Sequence, residues 1–452
     1  MKKAGKYIIC GLLGKGGSSV VYKARLPYVD RMVALKMLSP HPNLVGLLGM
    51  EAIRDRFISE AALIASLRHP NVIEVLDFDF DGERPFFTME YYYNDLGRLI
   101  GESCRPDLPT RILSLDKTIH YTRQILEGLG RLYRAGMVHR DIKPGNIMIS
   151  PEVTVKICDF GFSRVRGEKL AKPSQLVIGS PFYAAPEQER DPDSVDQRAD
   201  LYSVGAIVHR MLTGLLPEDG ILKPGRYHPE ADSGWDRLIE TALAPDPDRR
   251  FGTPAEMLAA LEELSAAWDG RKEAFCRMHP EDDEARGRSK PEATGETLRS
   301  MPVKVSAKEA PDVFGCDTLM RPARYAACDS FLPQGPVVKD TDTGLLWQQS
   351  GSEDPLSREE ALQYVENMNK ANFGGTSRWR LPTVSELFSI LRAPTFGIED
   401  CRTPEFDRRQ TTLWSIDRCT FVSGWHVNME LGFAGPADFT CGCHVRAVSS
   451  EQ

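Results

Sequence analysis

The sequence lacks an apolar run long enough to cross a membrane. Its longest candidate, LYSVGAIVHRMLTGLL (residues 201–216), carries His209 and Arg210 near its middle and is shorter than the roughly 20 apolar residues that a spanning helix needs. The amino terminus starts with a basic stretch, but glycines interrupt the apolar run that follows, and no small-residue cleavage site is present. We therefore expect a cytoplasmic protein with no membrane span.

The sequence also lacks a block of basic charge. The 56 Lys and Arg residues are outnumbered by 64 Asp and Glu residues, which gives a formal net charge of −8, and both signs are spread along the chain. Proteins that bind nucleic acid or an anionic membrane surface usually carry a basic cluster. We therefore expect neither nucleic acid nor a membrane surface as a partner.

Paired cysteine motifs are scarce. The chain has ten cysteines, but only Cys441 and Cys443, in the stretch CGCH, lie as close together as zinc ligands do. No second pair is nearby to complete a zinc site. Without an export signal, disulfides are not the default either. Reduced thiols are the expectation, and a zinc site at CGCH stays open as an alternative.

The composition is otherwise that of a folded protein with more than one domain. The chain has 452 residues, of which 41% are hydrophobic and 27% are charged. That leaves enough apolar side chains to build hydrophobic cores, and the length exceeds that of one ordinary domain. We expect two or three domains of mixed α+β class.

The first part of the chain is typical of a small sheet crossed by one helix. From residue 7 to about 91, short runs rich in β-branched and aromatic residues alternate with Gly, Pro and Asp. Residues 51–68 instead carry apolar side chains at helical spacing, among them Phe57 and Ile64. This pattern predicts a β-rich lobe.

A helical lobe is predicted to follow. Amphipathic patterns end at Gly136 and Gly214, where glycine suits a left-handed helix cap. Residues 253–268, TPAEMLAALEELSAAW, begin with a capping box between Thr253 and Glu256. The β-rich and helical lobes together predict a two-lobed domain over residues 1–268.

The chain changes character after this domain. Residues 269–311 are charged, contain Pro and Gly, and have few apolar side chains, so we expect a disordered linker. Beyond it, Ser357 and Thr383 each stand three residues before a glutamate, in capping-box register. Strand-like runs surround these two helix starts, so residues 312–452 are predicted to form a compact α+β domain.

Two features of the first lobe are typical of a phosphate site, although neither is specific. The turn GKGGSSVV (residues 14–21) lies between two strand-like runs, where glycines let backbone N–H groups approach a phosphate. Lys36 lies in the apolar run VALKML, and Glu60 on the crossing helix could pair with it. Taken alone, these are more often an ordinary turn, a solvated lysine and a surface glutamate.

The later motifs decide between these interpretations. Phosphoryl transfer needs donors over the phosphates, a cation, metal ligands and a group that orients the attacking hydroxyl. HRDIKPGN (residues 139–146) and KICDFG (residues 156–161) supply the remaining groups. With these motifs the chain resembles the eukaryotic-type (bacterial) protein serine/threonine kinase family from about Tyr7 to Trp268. The matching stretches, in order, are GKGGSSVVYKA, VALK, SEAALIASLRHPNVI, VHRDIKPGNIMI, DFG, GSPFYAAPE and DLYSVGAIVHRMLTG.

The resemblance implies a protein kinase fold with ATP and Mg²⁺ as cofactors. Lys36 is then expected to contact the phosphates and to pair with Glu60, and Met89 falls at the gatekeeper position before the adenine-facing hinge. Ser19 stands where the family usually has its third glycine. The residues expected at the ATP site are Gly14, Gly16, Gly17, Ser19, Val21, Ala34, Lys36, Glu60, Glu90 and Tyr92.

The resemblance also assigns the chemical roles. Asp141 is expected to orient the substrate hydroxyl, and Lys143, two residues later as in serine/threonine kinases, to stabilise the transferring phosphoryl group. Asn146 and Asp159 are expected to hold Mg²⁺, which prefers oxygen ligands. These roles predict transfer of the γ-phosphoryl group of ATP to serine or threonine hydroxyls of protein substrates.

Structural and regulatory roles follow from the same resemblance. Glu187 and Arg250 are expected to form a buried pair, and Asp200 to anchor the catalytic loop. Arg140, directly before Asp141, is a candidate receptor for a phosphate on the activation segment, which runs from Asp159 to Glu187. Serines in that segment are the candidate acceptors: Ser174 is favoured for autophosphorylation and Ser180 for a contact near the substrate site, and Ser163 is a further acceptor.

The alternative is a pseudokinase, in which the same fold serves as a scaffold, or a binding protein whose second domain carries the function. A pseudokinase usually lacks one of the reactive side chains. Lys36, Asp141, Asn146 and Asp159 are all present, which favours an active enzyme.

The second domain carries a different resemblance. Its stretches DTDTGLLWQQ, EEALQYVENMN, RWRLPTVSEL, LWSID and HVRAV follow the order of the collagen-like-adhesin C-terminal (Lcl C-terminal) domain family over residues 336–449. This family implies a C-type-lectin-like fold, in which Trp347, Trp379 and Trp414 are expected to be core residues. Residues 416–443 are the expected surface for an unknown ligand or partner. No calcium-ligand set of the lectin type is present, so a recognition or regulatory role is predicted without a named ligand.

Overall fold

The computed structural model describes residues 2–102, 108–160, 164–165, 182–191, 194–217, 223–278, 298–325, 330–394 and 401–450, with backbone alone at 164–165 and 275–278. Contacts divide the chain into two compact units, Met1–Arg277 and Met278–Gln452. Within the described ranges, no helix is both long and apolar enough to cross a bilayer.

The first unit begins with a six-stranded antiparallel sheet in the order β1-β2-β3-β4-β6-β5. One face of this sheet is apolar and packs around Tyr7, Leu35 and Phe86. The strands are β1 Lys3–Ala4, β2 Tyr7–Lys15, β3 Ser19–Leu26, β4 Arg31–Leu38, β5 Val75–Asp81 and β6 Arg84–Glu90.

Two helices follow β4. A short helix α1, Pro42–Leu48, precedes the longer α2, Met50–Ala65. α2 buries Phe57 and Ile64, and the Phe57 ring lies 5.3 Å from that of Phe87 on β6. The predicted helix that crosses the sheet is confirmed.

The rest of the unit is mainly helical, as predicted. The helix Arg198–Thr213 ends at Gly214, which has a left-handed φ of 71°. Gly136, after the helix Leu115–Arg134, has a φ of 74°, so both glycine caps are confirmed. The elements are β7 Asn94–Asp95, α3 Leu96–Ile100, α4 Leu115–Arg134, β8 Met137–Val138, β9 Ile147–Ile149, β10 Val155–Ile157, β11 Arg164–Val165, α5 Pro186–Arg190, α6 Arg198–Thr213, α7 Ser233–Ala242 and α8 Pro254–Met278. Small sheets, β10-β9-β7 and β11-β8, lie among these helices.

The helical lobe extends past the predicted domain end at residue 268. Helix α8 runs to Met278, and Lys272, inside the predicted linker, donates to Asp116 Oδ1 at 2.7 Å. The Trp268 indole N–H donates to the same carboxylate oxygen at 3.2 Å. The linker predicted over residues 269–311 therefore starts too early, because its first residues continue a packed helix.

The second unit contains two antiparallel sheets, β12-β13-β14-β18 and β15-β16-β17. The capping boxes of Ser357 with Glu360 and of Thr383 with Glu386 are both formed, as predicted. The elements are α9 Ala310–Phe314, β12 Phe331–Gln334, β13 Val337–Asp340, β14 Leu345–Gln348, α10 Arg358–Lys370, α11 Val384–Ser389, β15 Thr412–Arg418, β16 Ser423–Asn428, β17 Phe433–Asp438 and β18 Val448–Ser450.

The predicted linker also ends too late. Val305 and Ala310 lie in the core of the second unit, and the Arg299 guanidinium binds both carboxylate oxygens of Asp417 at 2.8 Å. The backbone N–H groups of Val303 and Val384 donate to the same carboxylate at 2.9 and 2.8 Å. Residues 298–311 are therefore an arm of the second unit.

The aromatic core of the second unit is as predicted. Trp347, Trp379 and Trp414 are all buried. Cys441 and Cys443 are also buried. Within the part of the chain that the structure describes, no group of three or more His, Cys, Asp or Glu side chains could hold a metal ion, so the zinc alternative gains no support.

Candidate active site

The glycine-rich turn forms a tight hairpin between β2 and β3. The Gly16 N–H donates to the Ser19 carbonyl at 2.8 Å, and the carbonyls of Gly17 and Ser18 accept from the segment after β4. The peptide N–H groups of Gly17 and Ser18 make no hydrogen bond to any described residue. Two adjacent free donors in a turn without bulky side chains can bind phosphate oxygens.

One face of the sheet next to this turn carries the other predicted nucleotide contacts. Val21 pairs with Lys36 across β3 and β4, and Ala34 pairs with Met89 across β4 and β6. Paired residues, and residues two apart on one strand, project from the same face of a sheet. The structure therefore places Val21, Ala34, Lys36 and Met89 on a single face.

Lys36 is the charged centre of this face. Its ammonium lies 2.8 Å from Glu60 Oε1 on α2 and 3.0 Å from Asp159 Oδ1, and its side chain is only 7% exposed. Burial alone would lower the pKa of Lys36, but the two carboxylates outweigh burial and raise the pKa above its ordinary value. Lys36 is thus held as a fixed cation, and the predicted pairing with Glu60 is observed.

The hinge after β6 offers backbone groups to a ligand. The peptide N–H and C=O of Tyr92 make no hydrogen bond among the described residues. The side chain of Glu90, by contrast, is engaged: its carboxylate accepts from the Tyr92 hydroxyl at 3.1 Å and pairs with Lys156 at 2.8 Å. At the hinge, the backbone is therefore the part available to an adenine ring.

Asp200 holds the backbone of the catalytic loop, residues 139–146. Its buried carboxylate accepts the backbone N–H of His139 at 2.8 Å and that of Arg140 at 2.7 Å. Arg140 has a φ of 69°, in the left-handed region that non-glycine residues rarely adopt. Such strain persists only where surrounding contacts enforce it, and here Asp200 supplies them. The predicted anchoring role of Asp200 is observed.

Three predicted residues converge at the end of this loop. Lys143 Nζ lies 2.8 Å from Asp141 Oδ2. The Asn146 amide group donates to the Asp141 carbonyl at 2.7 Å and to Asp141 Oδ2 at 3.0 Å. Asp141 is only 4% exposed, and these contacts hold its carboxylate in one orientation.

Asn146 and Asp159 have the donor chemistry that Mg²⁺ requires. The Cys158 N–H donates to the Asn146 carbonyl at 3.0 Å, which ties the two ligand-bearing segments together. Asp159 uses only Oδ1 to bind Lys36, and the side-chain oxygen of Asn146 accepts no hydrogen bond from any described residue. One carboxylate oxygen and one amide oxygen are therefore free, which fits a hard cation.

The electrostatics of Asp159 agree with this role. The Lys36 ammonium lowers the pKa of Asp159 below its ordinary value against the opposing effect of burial, and Lys143 adds to the lowering. Asp159 also has a φ of 63°, a strained conformation typical of functional sites. The carboxylate is thus kept ionised and ready to bind a cation.

The regulatory predictions are covered only in part. Ser163, Ser174 and Ser180 lie outside the described residues. Arg140 is buried, and its guanidinium donates to the Val195 carbonyl at 3.1 Å. Its role as a phosphate receptor stays a prediction.

The brace of the helical lobe is formed as predicted. The Arg250 guanidinium binds both oxygens of Glu187 at 2.7 and 2.8 Å. Arg250 is fully buried and Glu187 is 16% exposed at the side chain. A bidentate pair of this kind fixes the end of the activation segment to the helical lobe.

Two features of the site were missed in the sequence. Lys156, which binds Glu90, stands in a short apolar run with no signal of its own. The His139 ring packs against Phe160, with centroids 4.9 Å apart. Both contacts join residues of separate motifs, so only a spacing rule learned from related structures could have found them.

Comparison with known proteins agrees with the geometry. The protein kinase domain family matches residues 7–259, and the Lcl C-terminal domain family matches residues 336–449.

Three similar curated proteins come from bacteria. Serine/threonine-protein kinase PknL of Mycobacterium tuberculosis is 32% identical over 58% of this chain and 66% of its own length. Serine/threonine-protein kinase PksC of Streptomyces coelicolor is 34% identical over 58% of this chain and 50% of its own. A protein named probable serine/threonine-protein kinase from Clostridium perfringens is 30% identical over 57% of this chain and 38% of its own.

The chain thus spans between 38% and 66% of the length of these relatives. The matched residues include the glycine-rich hairpin, the Lys36–Glu60 pair, the catalytic loop and Asp159. The chain belongs to the protein kinase domain family.

Proposed function

We propose that the protein is an ATP- and Mg²⁺-dependent serine/threonine kinase that phosphorylates protein substrates. The observation that carries the proposal is the joint placement of Lys36 on Glu60 and Asp159 with Asp141 held by Asn146 and Lys143. A cation, an oxygen ligand pair and an oriented carboxylate are the groups that phosphoryl transfer requires.

Each residue then has a defined task. The free N–H groups of Gly17 and Ser18 bind phosphate oxygens, and Lys36 neutralises phosphate charge. Asn146 and Asp159 hold Mg²⁺, which, when bound, supplies further charge neutralisation at the phosphates. Asp141 accepts a hydrogen bond from the attacking hydroxyl and orients it.

Lys143 is the second cation of the proposed site, and its place two residues after Asp141 resembles the serine/threonine kinase pattern. Its ammonium lies 2.8 Å from Asp141 Oδ2 and its side chain is 30% exposed, so it can reach both the catalytic carboxylate and a phosphoryl group beside it. A cation in this position stabilises the charge that develops during transfer.

The test is phosphoryl transfer by the purified full-length chain. The protein is incubated with γ-labelled ATP and Mg²⁺, and label on serine and threonine is measured. Asp141→Asn and Asp159→Asn are each expected to reduce the rate by about 10²- to 10⁴-fold. The matched control is Asp55→Asn, an exposed aspartate on α2. Equal labelling by all four proteins, or label on tyrosine, would refute the proposal.

We further propose that the second unit is a recognition or regulatory domain with a C-type-lectin-like fold. Its match to the Lcl C-terminal domain family and its two sheets carrying irregular loops support this. The test compares the full chain with a chain ending at residue 297, because the arm that starts at residue 298 belongs to the second unit. Unchanged activity, substrate choice and binding partners after this deletion would refute the proposed role.

A further inference from the structure

A largely buried ion pair joins the hinge to the strand before Asp159. Lys156 Nζ lies 2.8 Å from Glu90 Oε2, and the two side chains are 14% and 19% exposed. The Tyr92 hydroxyl donates to Glu90 Oε1 at 3.1 Å, and the Glu74 N–H donates to Oε2 at 3.2 Å. In the part of the chain that the structure describes, Glu90 is the only carboxylate that pairs with Lys156.

The position of Lys156 connects it to both proposed metal ligands. Lys156 lies on β10 and is paired with Met148 of β9. β9 begins directly after Asn146, and Asp159 comes two residues after β10 ends. The hydrogen bond from the Cys158 N–H to the Asn146 carbonyl closes the open end of this hairpin. The β9–β10 hairpin therefore carries the metal-binding end of the site.

The other partner belongs to the opposite end of the site. Glu90 is the last residue of β6, two residues before the Tyr92 peptide that is available to an adenine ring. β6 also pairs directly with β4, with Phe87 opposite Lys36. Glu90 is thus continuous with the parts of the sheet lobe that would contact the base and the phosphates.

From this geometry we propose that Lys156 is a positioning residue for nucleotide binding. Together with the pairing of β7 and β9, its ion pair with Glu90 holds the hinge at a fixed distance from the β9–β10 hairpin. A nucleotide can contact the hinge backbone and Mg²⁺ on Asn146 and Asp159 together only when that distance is kept. The pair is shielded from solvent, so it is screened less than a surface pair and can restrain the two lobes.

The inference rests on the proposed kinase function and predicts a specific kinetic signature. β7, which follows the hinge, stays paired with β9 when the ion pair is lost. Loss of the pair instead lets the end of β6 shift against the hairpin, which weakens binding of ATP with Mg²⁺. The groups that carry out transfer, Asp141 and Lys143, make no contact with Lys156 or Glu90 in the described structure, so turnover at saturating ATP is retained.

The experiment uses Lys156→Met, Glu90→Gln, the double variant and Lys156→Arg in the full-length chain. The KM for ATP in phosphorylation of casein, and the Kd of ATP with Mg²⁺ by calorimetry, are each expected to rise about three- to tenfold in both single variants. kcat is expected to stay within about twofold of the wild-type value. The Kd of the double variant is expected not to exceed that of the single variant with the larger Kd. Lys156→Arg is expected to keep most of the affinity, since it keeps the charge.

The control is Glu152→Gln, an exposed carboxylate in the turn of the same hairpin, which is expected to change neither constant. Unchanged KM and Kd in both single variants would overturn the inference, as would effects that multiply in the double variant. A loss of thermal stability and kcat at constant Kd would assign Lys156 a merely structural role and overturn it too. If the wild type binds ATP but transfers no phosphate, the proposed function fails while the Kd comparison still tests the ion pair.

Discussion

The buried pair between Glu187 and Arg250 permits a quantitative test of how the helical lobe is held together. Besides binding Glu187 twice, the Arg250 guanidinium donates to the carbonyls of Ala244, Arg198 and Pro245 at 2.7, 3.2 and 3.3 Å. It also lies 4.9 Å from the centroid of the Tyr202 ring. Removing the Glu187 carboxylate leaves these contacts, but the fully buried charge of Arg250 then has no carboxylate partner among the described residues.

The expected cost follows from that difference. Breaking a buried ion pair by removing one partner costs about 3–5 kcal/mol, because the remaining charge is uncompensated. Arg250 in the Glu187→Gln protein keeps three carbonyl partners, so we expect the lower end, about 3 kcal/mol. In the Arg250→Met protein the carbonyls lose their donors, and we expect about 4 kcal/mol. A unit of this size loses roughly 2–4 °C of Tm per kcal/mol, so a shift of about 6–12 °C is expected for Glu187→Gln.

Differential scanning calorimetry of the full-length chain measures this shift in one of its transitions. The matched control is Arg249→Met, which removes an exposed arginine next to Arg250 and is expected to leave Tm within about 1 °C. The double variant Glu187→Gln with Arg250→Met is expected to be much less destabilised than the two single effects added together. A shift below about 2 °C in both single variants, or additive effects, would refute the assignment of a buried coupled pair.

Other residues carry three further predictions. Glu60→Gln removes the partner that holds Lys36, so phosphorylation is expected to fall roughly ten- to hundredfold; Glu51→Gln, exposed on the same helix, is the control, and equal activities would contradict the role of Glu60. Arg299→Met strands the buried Asp417 carboxylate and is expected to cost the second unit about 3 kcal/mol in denaturant unfolding; a loss no larger than that of exposed Lys308→Met would argue against the arm. Burial lowers the pKa of His228 below 6.5, so the unfolded state takes up a proton at a higher pH than the folded state does. The free energy of unfolding that His228 contributes above pH 6.5 is therefore lost as the pH falls. His228→Gln is expected to flatten this pH dependence in unfolding measured from about pH 5 to 8, and identical pH profiles of the variant and the wild type would refute the role of His228.

The His228 prediction has a direct structural basis. His228 Nε2 lies 3.1 Å from the Leu113 carbonyl oxygen, and Nδ1 accepts the Glu230 N–H at 3.4 Å. A neutral imidazole with its proton on Nε2 satisfies both contacts. Protonation of Nδ1 would replace the second contact by two donors facing each other, which is why the folded state resists the charge.

The motifs of the first unit could be predicted because each is a local run with a chemical requirement of its own. The glycines of the phosphate turn, the lysine in an apolar strand and the acidic and amide groups of the catalytic loop occupy fixed positions in short stretches. The pairing of Lys36 with Glu60 was implied by the family resemblance, since the apolar strand and the crossing helix alone were equally typical of a solvated lysine and a surface glutamate.

The domain boundaries could not be predicted, because they depend on partners far away in sequence. Lys272 belongs to a charged stretch that resembles a linker, yet it pairs with Asp116 at the start of α4. Arg299 lies in the same stretch, yet it binds the buried Asp417. Composition gives only the average polarity of a segment, whereas each end of the predicted linker is held to a folded unit by contacts of individual residues such as Lys272 and Arg299.

By itself, the sequence determined the two family resemblances, the reactive side chains and the helix caps, since each depends on residues close together along the chain. Tertiary structure alone decided the left-handed conformations of Arg140 and Asp159, the tie between Glu90 and Lys156, and the arm on Asp417. These features depend on contacts between residues that are far apart in the sequence. Such contacts, and not the neighbouring residues in the chain, determine whether a buried charge or a strained peptide is stable.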